Sequence, residues 1–105
     1  MDIKQAEQMV KRYMAGYGLT ARGWSFRWRG GGAPGMCAHG PNVISLSKKV
    51  AATYDADVVS KIALHEIAHA LCEPREGHGR KWREMARRIG GYDTPVTTLP
   101  RRRTA

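Results

Sequence analysis

The stretch HEIAHALCEPREGHGRKW, residues 65–82, holds three of the chain's four histidines. His65 and His69 are four apart, so on a helix they share one face, one turn apart. Two imidazoles placed in this way can each offer a nitrogen to one Zn²⁺ at ~2.1 Å. Glu66 follows the first of them directly and points beside such a metal rather than at it. A carboxylate there suits a base that takes a proton from water activated by the metal. The residue types match the chemistry: zinc acidifies water and polarises a carbonyl, while the carboxylate carries protons to a leaving amine. Small Ala68 and Ala70, with Ile67 and Leu71, surround the second histidine. They predict a buried helix rather than a surface helix with two solvated histidines, and buried histidines need partners.

A catalytic zinc takes three protein ligands and keeps one position open. His78 is the leading candidate for the third, in a loop whose Gly77 and Gly79 would let it fold back under the helix. Glu84, on the next helical segment, is its competitor, because some zinc peptidases draw the third ligand from a later glutamate. Cys72 roughly shares the face of His65 and His69 but is read as a buried structural cysteine. The metzincin pattern is excluded: it needs glycine at 72 and histidine at 75, where this chain has Cys72 and Arg75.

The elements that must position these residues are legible from periodicity. Residues 2–17 carry Ile3, Ala6, Val10, Tyr13, Met14 and Tyr17 at helical spacing, with Asp2 to cap the start and Gly18 to stop it. WSFRWR, residues 24–29, alternates Trp24, Phe26 and Trp28 with Ser25, Arg27 and Arg29, the pattern of a half-buried strand. GGGAPG then turns the chain back; no Gly-Lys-Ser/Thr follows, so it is not a phosphate-binding loop. Residues 36–47 give one or two more strands, bent at Pro41 and Asn42, and 48–57 form a connection with room for a helical turn. A helix is predicted from about 57 to 73, ended by Pro74. A last one follows over RKWREMARRI, residues 80–89, with Trp82, Met85, Ala86 and Ile89 on one face. The order predicts an α+β fold: N-terminal helix, small antiparallel sheet of about three strands, motif-bearing helix and a further helix. One domain is expected over residues 1–100, followed by a basic tail at 101–105.

Composition narrows the partners. Hydrophobic residues at 42% and charged residues at 26% are ordinary globular values. No apolar run reaches membrane-span length and the N-terminus lacks a signal-peptide core, so a cytoplasmic monomer with no membrane partner is expected. Two cysteines, Cys37 and Cys72, are too few for a disulfide framework or a four-cysteine zinc ribbon. Eighteen Lys and Arg against nine acidic residues give a net charge of +9, a field that attracts polyanions, nucleic acid first. The candidate contacts are Arg27 and Arg29, expected exposed on the strand, then Arg80, Arg83 and Arg87 along the last helix, and Arg101, Arg102 and Arg103 in the tail. Trp24, Phe26 and Trp28 could stack single-stranded bases, but a small domain needs those aromatics in its core. His39 either sits on the surface or lines the cleft, and Tyr54 and Tyr92 are the candidates for an oxyanion donor.

HEIAHAL…EGHGRKW resembles the SprT-like metalloprotease family, to which the Spartan proteases of DNA–protein crosslink repair belong. GMCAHGPNVISLSKKV, residues 35–50, is similar to that family's strand region, where a Gly-x-Cys element precedes an Ile-x-Leu-Ser strand. The resemblance covers about residues 35 to 89. It implies a zincin-like fold and a zinc-dependent endopeptidase that cleaves DNA-associated or DNA-crosslinked proteins, with DNA licensing the activity. His65, His69 and His78 would be the zinc ligands and Glu66 the catalytic acid/base. In related zincin architectures the substrate lies as an added strand on a sheet edge, here expected from residues 35–47. Two other readings compete: a non-catalytic nucleic-acid-binding module with structural zinc, which has no use for Glu66, and a zinc peptidase unrelated to DNA.

Overall fold

The computed structural model describes residues 1–95. Helix α1, Ile3–Gly16, starts where the Asp2 carboxylate accepts the Gln5 amide at 3.0 Å. It buries Ala6, Met9, Val10 and Met14. Three strands follow: β1 Ser25–Arg29, β2 Gly35–Ala38 and β3 Val43–Ser47. A short helix α2, Lys48–Thr53, leads to the long α3, Ala56–Leu71, whose first turn is capped by Asp55. Helix α4, Arg80–Ile89, is the last element among the described residues and ends at Gly90, whose φ of 88° is the left-handed cap. The motif helix thus begins one residue before its expected start and stops at Leu71, two residues short. Cys72 and Glu73 are already extended, as the residue before a proline prefers.

The α+β class and the element order agree with the sequence reading, and the architecture is compatible with a zincin-like fold. The sheet corrects it in one respect. The described residues form three strands, but they are mixed rather than antiparallel: the order is β1-β3-β2, with β1 parallel to β3 and β2 antiparallel to it. The reason is burial. β3 is the most buried strand, and with Ile44 fully buried and Leu46 nearly so it takes the centre. A tight turn through Gly40 and Asn42, both at positive φ, pairs β2 with β3 as a hairpin. The Gly-rich segment after β1 therefore crosses over to the far edge instead of turning straight back.

One face of the sheet packs on the helices. Register places Phe26, Trp28, Ile44, Leu46, Gly35 and Cys37 on that face. Trp24 is 6% exposed, and Phe26 and Trp28 pack partly buried against the same core, so the aromatics are core rather than a stacking platform. Trp28 also donates from Nε1 to Glu7 at 2.8 Å, tying α1 to β1. A second, smaller cluster of Ala68, Trp82 and Ala86 joins α3 to α4. No helix among the described residues is long and apolar enough to cross a membrane.

Candidate active site

Helix α3 packs with β2 on one side and α4 on the other, so nearly every residue from Val59 to Ala70 is buried. His65 and His69 meet His78 in this setting. One ring nitrogen from each lies within 4.8 Å of the other two, closely enough to hold a metal ion. His78 reaches this position because its loop closes on itself. Gly77 adopts φ 53°, ψ −127°, a conformation glycine tolerates and side-chain-bearing residues do not. Glu76 then caps α4 by accepting the Lys81 amide at 3.0 Å. A Cβ on Gly79 would lie 2.8 Å from both the Glu76 carbonyl and its Oε1, so only glycine fits beneath the cap. Glu84 is exposed and accepts from Arg80 Nε at 3.1 Å, and Cys72 packs into the α3–α4 cluster. Among the described residues, neither joins the group of three.

Trp82 forms the floor. It is fully buried, stacks on His69 with ring centroids 4.7 Å apart at 13°, and meets His65 and His78 edge-on at 4.7 and 4.6 Å. His65 Nδ1 lies 3.0 Å from the Tyr92 carbonyl, and its Nε2 lies 3.8 Å from Glu66 Oε2. The Glu66 carboxylate therefore borders the three-nitrogen group. An open cavity of about 340 Å³ is lined by the three histidines and Glu66 on one side and by Gly35, Cys37 and His39 on the other.

The residues fit a zinc ion on three counts. Three imidazoles are a donor set zinc uses in catalysis, leaving one position open. Burial, reinforced by the neighbouring rings, pulls His65 down to about 4 and His69 to about 3, so both are neutral, as metal ligands must be. The bond to Tyr92 occupies Nδ1 of His65 and leaves Nε2 on the carboxylate side. Burial also pushes Glu66 up to about 8, opposed by the positive Arg29 nearby. Cys37 is raised to about 12, mainly by burial and then by the Glu66 charge, which keeps it a neutral thiol and a poor nucleophile.

These shifts give the metal-free protein a defined pH dependence. The two histidines titrate below their ordinary 6.5 when folded, so the unfolded chain takes up more protons as pH falls below 6.5; their contribution is complete above 6.5 and lost on acidification. Glu66 acts in the opposite sense. The folded state keeps a proton between 4.5 and about 8 that the unfolded chain has released, so stability declines as pH rises through that window. Below 6.5 the two histidines outweigh the single carboxyl. In chelator, the melting temperature should peak at about pH 6.5 and fall on both sides. Thermal melts from pH 4 to 9 check this; a melting temperature that climbs without a break to pH 9 would contradict it.

Gly35 had no local signal that marked it as a site residue. A Cβ there would lie 3.1 Å from Glu66 Cγ and 3.2 Å from its Oε2, with Leu46 Cδ2 also at 3.1 Å. The carboxylate occupies the space a side chain would take. Gly35→Ala should displace Glu66 and lower turnover about tenfold or more, with zinc affinity held because no ligand is touched. Steady-state cleavage beside a zinc titration separates the two effects.

The basic residues divide. Arg27, Arg80, Arg83 and Arg87 are exposed as expected. Arg80 and Arg87 are each paired, with Glu84 at 3.1 Å and Asp93 at 2.6 Å. Arg29 corrects the reading of an exposed strand residue. It is half-buried, its Nη1 is buried without a hydrogen-bond partner among the described residues, and its charge acts on Glu66. The reason is its place at the last position of β1, where the Gly-rich segment leaves room for the long side chain to turn inward, with Nη2 beside Gly32. Arg101, Arg102 and Arg103 lie outside the described residues. His39 lines the cleft, with Nε2 buried and unpartnered among those residues. Tyr54 packs against the core and the Tyr92 ring sits under Lys61, so neither hydroxyl-bearing residue lines the cavity.

No curated protein and no solved structure matches the chain. The model of the SprT-like family matches residues 3–102, nearly the whole chain, which points to a metallopeptidase-like domain. With that match over the three-histidine cleft and its adjoining carboxylate, the chain belongs to the SprT-like family.

Proposed function

We propose that this protein is a zinc endopeptidase that cleaves DNA-associated or DNA-crosslinked proteins. The observation that carries the reading is Glu66 Oε2 at 3.8 Å from His65 Nε2, on the wall of an open cleft shared with His69 and His78. His65, His69 and His78 would hold the zinc, which supplies a Lewis acid that acidifies water and polarises the scissile carbonyl. Glu66 takes the proton from the attacking water and passes it to the leaving amine; a bound cation would hold the carboxylate ionised for that role, against the burial that raises it in the metal-free protein. β2 is the sheet edge next to Glu66, and it can take a substrate main chain as an added strand. Main-chain pairing tolerates varied side chains, which suits an enzyme that meets many different crosslinked proteins.

The net charge of +9 supports the DNA part of the reading. On α4, the ion pairs of Arg80 and Arg87 are exposed and screened by solvent, so phosphate can replace their carboxylates. Arg83 lies exposed between them and makes no ion pair among the described residues. Arg83→Ala should weaken single-stranded DNA binding and reduce the slope of log affinity against log salt by about 1. The functional test is cleavage of a DNA-binding protein with and without single-stranded DNA. Stimulation by DNA is expected. Cleavage indifferent to DNA would leave a zinc peptidase outside repair, a reading favoured by the engagement of Arg80 and Arg87 within the protein and by the inward turn of Arg29.

A further inference from the structure

The segment that leaves α4 returns to the motif helix at its most sensitive point. After the cap at Gly90, the chain lays Gly91 directly on the backbone of α3. A Cβ on Gly91 would lie 2.6 Å from the His65 amide nitrogen, 2.7 Å from the Leu64 carbonyl carbon and 3.1 Å from His65 Cα. These are main-chain atoms inside a buried helix, and they cannot move aside. The close approach carries the next residue to two contacts one turn apart on the same helix. Tyr92 donates its amide to the Lys61 carbonyl at 3.3 Å, and its own carbonyl lies 3.0 Å from His65 Nδ1. The Lys61 ammonium, 5.9 Å from the Tyr92 ring centroid, holds the same residue from the side.

A carbonyl oxygen only accepts, so this contact requires the proton on Nδ1 of neutral His65. Free neutral imidazole prefers the other tautomer, with the proton on Nε2. The Tyr92 carbonyl therefore selects the less favoured form and leaves the Nε2 lone pair directed to the side where Glu66, His69 and His78 converge. We propose that the Gly91–Tyr92 turn is the positioning element of the metal centre: Gly91 permits the approach, and the Tyr92 main-chain carbonyl sets the tautomer and ring orientation of His65. The inference rests on the reading of the three histidines as metal ligands. It adds a residue that reaches His65 through its backbone carbonyl, Tyr92, and a glycine 26 positions away from the ligand it serves.

Outer partners of metal-bound histidines change metal affinity by about 10–100-fold. Gly91→Ala should weaken zinc binding by that factor, read by competition with a chromophoric chelator. Gly23→Ala is the control: Gly23 needs positive φ, at 89°, so alanine strains the fold there, but a Cβ meets nothing within 4 Å and the site is remote. It should lower the melting temperature and leave zinc affinity unchanged. A second readout does not depend on either variant folding. Nitrogen-15 shifts of the imidazoles in the metal-free wild type should show His65 protonated on Nδ1. Wild type that binds no zinc would overturn the metal reading itself. A zinc-binding wild type with His65 protonated on Nε2, or a folded Gly91→Ala protein with unchanged zinc affinity, would overturn the role of the turn alone.

Discussion

Glu66→Gln should abolish measurable peptide cleavage, lowering turnover by about 10²–10⁴-fold, the range that positioned acid–base groups contribute. Glutamine has nearly the same shape, so it fills the space left beside Gly35 and keeps the contacts of a side chain only 7% exposed. It cannot accept the proton of the attacking water. Zinc stoichiometry should remain at wild-type level, because the three imidazoles are untouched. The same variant carries an opposite effect on stability. Glu66 is raised from 4.5 to about 8 by burial, so ionising it at alkaline pH costs the metal-free fold. Removing the charge should stabilise the metal-free protein at pH 8 by an amount on the order of a few kcal/mol, and leave it nearly unchanged at pH 5. Single-turnover cleavage, zinc content and chelator-treated melts at the two pH values test the whole set. Cleavage retained at near wild-type rate would remove Glu66 from the mechanism, and equal melting shifts at pH 5 and 8 would remove the account of its burial.

The second large effect is expected at Trp82. Truncation to alanine deletes the floor under all three histidines and opens a cavity between α3 and α4. Buried Trp→Ala changes cost about 3–5 kcal/mol, a large share of the roughly 5–15 kcal/mol available to a small domain. The loss also reaches the three-histidine group, because His69 stacks flat on the indole and Trp82 Nε1 donates to the His65 carbonyl at 3.3 Å. Trp82→Phe keeps most of the packing and loses that bond, about 1 kcal/mol. Denaturation with and without zinc should therefore rank wild type above Phe and Phe above Ala. The zinc-dependent part of the stability should be smallest in Trp82→Ala. An alanine variant with unchanged midpoint and zinc affinity would show that the histidines are held by other means.

Much of the architecture follows from local rules. The helical spacing of Ala6, Val10 and Met14, with the caps at Asp2 and Asp55, sets two helices because capping and periodicity act within a few residues. The placing of His65, Glu66 and His69 on one turn has the same origin, since it depends only on a helix forming there. Strand alternation likewise separates Phe26 and Trp28 from Arg27. It does not reveal which strand lies beside which, and the all-antiparallel expectation failed there. β3 took the centre as the most buried of the three, paired on both sides, a neighbour relation that a strand-by-strand reading does not see.

By itself, then, the sequence determined the helices, the strand segments, the paired histidines with their carboxylate, and the overall positive charge, because each depends on residue type and short spacing. Tertiary structure decided the rest. The third histidine rather than Glu84 joins the group because Glu76 and Gly79 close its loop, while Arg80 holds the glutamate outward. Arg29 turns towards Glu66 instead of solvent, Gly35 makes room for the carboxylate, and Tyr92 reaches His65 from 27 residues away. Such contacts are made by chain segments that meet only when the core packs, so no periodicity records them.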